Sequence, residues 1–74
     1  MSDYNLGLFT ILIVEDNTYI RNLLRTIMTR LGAGHVLTAA HGGEAIDLLK
    51  LIRSDPTKAG VGNIDMIMSN WEMP

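Results

Sequence analysis

The sequence predicts an α/β fold in which a small parallel sheet carries helices on its faces. Two near-continuous apolar runs, 8–14 (LFTILIV) and 64–69 (IDMIMS), lack the in-and-out alternation of a strand with one wet face. That pattern is expected of parallel strands covered on both sides. Between them the apolar period changes from that of a strand to that of a helix. The resulting order over 74 residues is strand, helix, strand, helix, strand, which favours parallel pairing through right-handed crossovers.

Each element has its own warrant. Residues 1–7 are polar and contain a glycine, a flexible lead-in. The first strand, 8–14, stops at Glu15-Asp16-Asn17. From Thr18 onward Ile20, Leu23, Leu24, Ile27, Met28 and Leu31 recur at helical spacing, a full apolar stripe, with Arg21, Asn22, Arg25, Thr26, Thr29 and Arg30 opposite. Asn17 or Thr18 caps this helix, because both offer a short side-chain acceptor to the first-turn amides, and Gly32 stops it. Residues 35–39 (HVLTA) read as the second strand.

The second helix opens at His41-Gly42-Gly43-Glu44, with Glu44 three residues beyond a cap at His41. Histidine is a poorer cap than Asn, Asp or Ser. Ala45, Leu48, Leu49 and Ile52 form the apolar stripe. Segment 54–63 (SDPTKAGVGN) has a proline, two glycines and few large apolar side chains, so it reads as a long loop. The third strand, 64–69, is of the buried type. No internal repeat or low-complexity tract interrupts this order.

Composition narrows the function classes. At 47% hydrophobic and 19% charged residues the chain is not a disordered tail. Six basic against eight acidic residues give a net charge of −2, and the basic ones are scattered, which argues against nucleic-acid contact. The absence of cysteine removes disulfides and thiolate metal sites and suits a cytoplasmic protein. The N-terminus is acidic where a secretory signal is basic, and the longest apolar run falls far short of the about 20 residues a membrane span needs. A chain of this size buries only roughly 60% of its unfolded surface, so a partner chain or further sequence would steady it.

In an open parallel sheet, ligands bind beyond the carboxyl ends of the strands. Glu15 and Asp16 end the first strand, and Asn70 and Glu72 end the third. A strand order of 2-1-3 makes these two ends neighbours around one acidic basin. Hard oxygen donors of this kind suit Mg²⁺, which takes one or two carboxylates and keeps several waters. The plainer reading is equally physical: acidic residues favour helix starts, and Asp65 or Glu72 would be loop charges.

Three segments then carry a resemblance. Ile11-Leu12-Ile13-Val14-Glu15-Asp16-Asn17 is similar to the first strand and acidic pair of response-regulator receiver domains of two-component signalling. Ala40-His41-Gly42-Gly43-Glu44-Ala45 resembles that family's A-x-[ND]-G-x-E-A segment. The run from Asp65 through Asn70-Trp71-Glu72-Met73-Pro74 resembles its D-hhhh-D-x-x-M-P segment, h being apolar or small. Together they span 9–74. The resemblance implies a flavodoxin-like, doubly wound receiver fold, with 8–74 as the N-terminal portion of one such domain. It also implies a non-enzymatic switch whose acceptor Asp takes a phosphoryl group from a histidine kinase or phosphotransfer protein. Glu15 and Asp16 would hold Mg²⁺, with Asp16 the more direct ligand, and Glu72 would add its backbone carbonyl.

Two departures qualify it. Position 70, the acceptor, is Asn, a poor nucleophile that brings no charge to the metal and so weakens Mg²⁺ binding. Either this is a natural pseudo-receiver or an acceptor Asp has been replaced. Receivers also continue through further strands and helices bearing a Ser/Thr and a Lys for the phosphoryl group. Without them, the third strand would expose an apolar edge open to a homodimer or a swapped dimer.

Two other readings compete. One is a phosphorylation-independent module acting through protein contacts. The other is a Mg²⁺-dependent phosphatase-like fold, whose D-x-D pair Asn70-Trp71-Glu72 supplies only in degraded form. His35 reads as a surface strand residue. Met66, Met68 and Met73 read as packing, not as a redox site.

Overall fold

A computed structural model describes residues 9–69 of the chain. Asn70, Trp71, Glu72, Met73 and Pro74, and the lead-in 1–8, lie outside the described residues. The elements run β1 (Thr10–Val14), α1 (Thr18–Arg30), β2 (His35–Ala39), α2 (Gly42–Ser54), α3 (Pro56–Ala59) and β3 (Met66–Ser69). The three strands form one parallel sheet in the order β2-β1-β3. Thr10 lies opposite His35 on one side of β1, and Ile11 opposite Met66 on the other. The predicted α/β, flavodoxin-like arrangement with order 2-1-3 is the observed one.

The core is centred on β1. Leu12 and Ile13 are wholly enclosed, and Ile11 is buried beside them. Successive strand side chains point to opposite faces. On the Leu12 face, Ala39 and Ala45 complete a buried cluster against which Val14, Leu37, Leu48, Leu49 and Ile64 pack. α1 packs against β1 and β2.

The helix ends follow local chemistry. The Asn17 side chain accepts from the Ile20 amide at 3.0 Å, which settles the N-cap of α1 in its favour over Thr18. At the other end Gly32 adopts φ 99°, a conformation that costs glycine little. Its amide donates to Thr29 O, and that of Ala33 to Met28 O, closing a Schellman turn as expected of a stop at this glycine. His41 does cap α2, its Nδ1 accepting from the Glu44 amide at 3.2 Å. Glu44 reaches back to accept from the Ala40 amide at 2.8 Å.

Three expectations need correction, and α1 encloses less than its full apolar stripe would allow. The α1 stripe is not a buried one: Ile20, Leu24 and Met28 are half-buried, whereas Leu23, Ile27 and Leu31 are exposed. Segment 54–63 is not all loop, because Asp55 caps α3, Pro56 occupies its first turn and Gly60 closes it at φ 85°. β3 begins at Met66 instead of 64, and it is not of the buried type, since Met66 and Ile67 are 46% and 53% exposed. β1 likewise begins at Thr10 instead of 8, with Phe9 partly exposed. For α1 and the two strands the reason is shared. An apolar run reports what a residue prefers, while burial needs a neighbour, and among the described residues β3 pairs with β1 alone.

Candidate functional site

The turn from β1 into α1 is built by hydrogen bonds that the sequence did not announce. The Glu15 amide donates to Ala39 O at 3.0 Å, extending the β1–β2 ladder one residue past the strand. The Glu15 side chain is buried (3% exposed), and its Oε2 accepts from the Asn17 amide at 2.8 Å. From the first turn of α1 the Arg21 guanidinium donates to Glu15 O at 2.9 Å. This charge-assisted bond pins the backbone beneath the acidic pair. Asp16, one residue on, is exposed. The two carboxylates therefore divide the work: Glu15 organises the turn and Asp16 faces solvent.

These residues form one wall of a basin of about 460 Å³ at the carboxyl ends of the strands. Val14, Glu15 and Asp16 come from β1 and its turn, Ala40, His41 and Ala45 from the β2–α2 junction, and Ile67 and Ser69 from β3. The predicted neighbourhood of the first and third strand ends is thus observed as far as Ser69. Asn70 and Glu72 follow it outside the described residues. Among the described residues no group of three or more His, Cys, Asp or Glu gathers in one place. The basin is lined by the exposed Asp16, by Glu15, whose Oε2 already holds the Asn17 amide, and by Ser69. A cation held there would meet Asp16 first, and so sparse an oxygen set would fit one that keeps most of its waters, as Mg²⁺ does.

A second contact missed by the sequence lies at the opposite end of the sheet. Asp65, read as a loop charge, accepts from the Thr10 amide through Oδ2 at 2.8 Å, and its own amide donates to Thr10 O at 2.9 Å. Asn63 Nδ2 holds the other carboxylate oxygen at 3.3 Å. Asp65 fastens β3 to the start of β1. Above it a larger groove, about 600 Å³, runs between α2 and β3, lined by Leu49, Ile52, Arg53, Ile64 and Met66 among others. Of the sequence-predicted site residues, the two that are described, Glu15 and Asp16, do not line it.

Among the described residues no helix is long and apolar enough to cross a membrane. No family model and no solved structure matches the chain. Chemotaxis proteins described as CheY homologs, from Campylobacter jejuni subsp. jejuni serotypes O:23/36, O:6 and O:2, are each 36% identical to it over 64 residues. The aligned stretch is 86% of this chain and 42% of each relative, so the chain spans less than half the length of the curated relatives it matches. Together with the parallel β2-β1-β3 sheet and the acidic pair that closes β1, this similarity supports a receiver domain of the response-regulator kind.

Proposed function

We propose that the chain is the receiver module of a cytoplasmic phosphorelay, written here in a phosphorylation-incompetent form. The observation that carries this reading is the basin: Glu15 and Asp16 at the end of β1 share it with Ser69, the residue before position 70. In the competent form an Asp at position 70 would attack the phosphorus of a phosphohistidine on a histidine kinase or phosphotransfer protein. An oxygen–phosphorus bond would form as the nitrogen–phosphorus bond breaks. Asp16 and Glu15, with position 70 and the Glu72 carbonyl, would hold Mg²⁺, which when bound offsets charge on the phosphoryl oxygens. Asn70 removes both the nucleophile and one negative charge from that set.

The test is the Asn70→Asp chain incubated with a small phosphodonor such as acetyl phosphate. Labelling that requires Mg²⁺, is lost in Asp16→Asn and is absent from the unaltered chain supports the relay. An Asn70→Asp chain that stays folded and takes no phosphate favours the second reading, a pseudo-receiver that works by protein contact. Asn70 itself and the exposed β3 side chains Met66 and Ile67 speak for that alternative, which includes a homodimer or swapped dimer along the β3 edge.

A further inference from the structure

The cap of α2 is chemically unlike the other helix caps of this molecule. Asn17 and Asp55 accept first-turn amides through oxygens. His41 does so through a ring nitrogen: Nδ1 receives the Glu44 amide at 3.2 Å. Only an unprotonated Nδ1 has a lone pair to give, so the bond requires the neutral imidazole with its proton on Nε2. The ring is laid over the first turn, because a Cβ placed on Gly43 would meet His41 Nδ1 at 3.3 Å and Cε1 at 3.4 Å. Gly43 is thus the residue that leaves room for the ring to lie there.

Protonation acts on this cap in one direction locally. It turns Nδ1 from acceptor to donor, facing an amide that is also a donor, and it puts a positive charge at the positive end of the helix dipole. Among the described residues the charged groups that line the basin with His41 are Glu15 and Asp16 from the β1 end, Glu44 follows on α2 itself, and β3 contributes Ile67 and Ser69. None of these carboxylates restores an acceptor to the Glu44 amide, so the charged ring gains by leaving the cap.

We propose that His41 is a proton-operated cap: neutral, it holds the first turn of α2 through Nδ1, and protonated, it lets that turn go. The first turn carries Gly42, Ala45 and Ile46 into the basin wall, so acidification loosens the basin on the α2 side. The device stands apart from phosphoryl transfer, and its failure would leave the relay reading untouched.

The test is amide exchange followed by NMR on the ¹⁵N-labelled 74-residue chain, corrected for intrinsic exchange, at about pH 7.5 and about pH 5.5, either side of the usual imidazole range. Protection at Glu44 should fall about fivefold relative to Leu49 in mid-helix, the equivalent of losing one N-cap. The His41→Asn variant, whose cap carries no proton switch, should hold its protection at both values. Equal protection at both values in the unaltered chain overturns the proposal, as does the same loss in His41→Asn. A second readout is the ring nitrogen shifts near pH 7.5, where an Nδ1–H tautomer would overturn it directly.

Discussion

α1 and α2 have the same length, 13 residues each, and the contrast between them is instructive. α1 has the fuller apolar stripe in sequence, two side chains per turn from Ile20 to Leu31. Yet none of its residues is fully buried, and Leu23, Ile27 and Leu31 face outward. α2 has smaller apolar residues and two glycines in its first turn, but Ala45 and Ile52 are buried and Leu48 and Leu49 pack on the Leu12 cluster. Ala45 joins Leu12 and Ala39 in one buried cluster, whereas α1 lies against β1 and β2 without enclosing any of its own side chains to that degree. Periodicity tells which side chains share a face, and only packing tells whether anything lies over it.

The sharpest way to break that contrast is at its buried end. Leu12→Ala removes a side chain with no exposure from the centre of the sheet and should cost about 2–5 kcal/mol, enough to abolish a cooperative urea transition in so small a chain. A variant that keeps its midpoint would mean that the Leu12 cluster is not the core. Next in size is Asp65→Ala, which strips the Thr10 amide of its carboxylate partner and should cost about 1–3 kcal/mol. Asp65→Asn, which keeps an acceptor oxygen, should recover a good part of the loss. If both variants lose equally, negative charge and not the bond to Thr10 is what fastens β3. The smallest effect is expected on α1: Leu23→Gln, at a site 47% exposed, should shift stability by about 0.5 kcal/mol or less. A loss near that of a core residue would show that the outer α1 face is covered in solution.

What was legible in the sequence was what neighbours in the chain decide. The N-cap at Asn17, the stop at Gly32 and the unusual cap at His41 all depend on residues within one helical turn, and each is found where the sequence put it. α3 obeys the same local rules, with Asp55, Pro56 and Gly60 in their standard places, but four residues offer no apolar period by which to notice it. The meeting of Glu15 and Asp16 with the end of β3 was legible because the order of parallel strands fixes which ends are adjacent. Their separate duties were not, since the Glu15 side chain turns in to accept from the Asn17 amide while Arg21, six residues ahead, holds its backbone carbonyl. Asp65 was misread for a similar reason: its partner, Thr10, is 55 positions away.

The position of β1 between the other two strands has a consequence for how the chain assembles. β2 and β3 do not touch each other within the described sheet, so each half of the ladder forms on β1 independently. Bringing His35 to Thr10 closes a shorter loop than bringing Asp65 to Thr10. Because closure entropy grows only with the logarithm of loop length, the difference is about 0.7 kcal/mol, roughly a threefold bias. The β2 side is therefore favoured to close first, by a margin small enough that one substitution along either ladder could reverse the order.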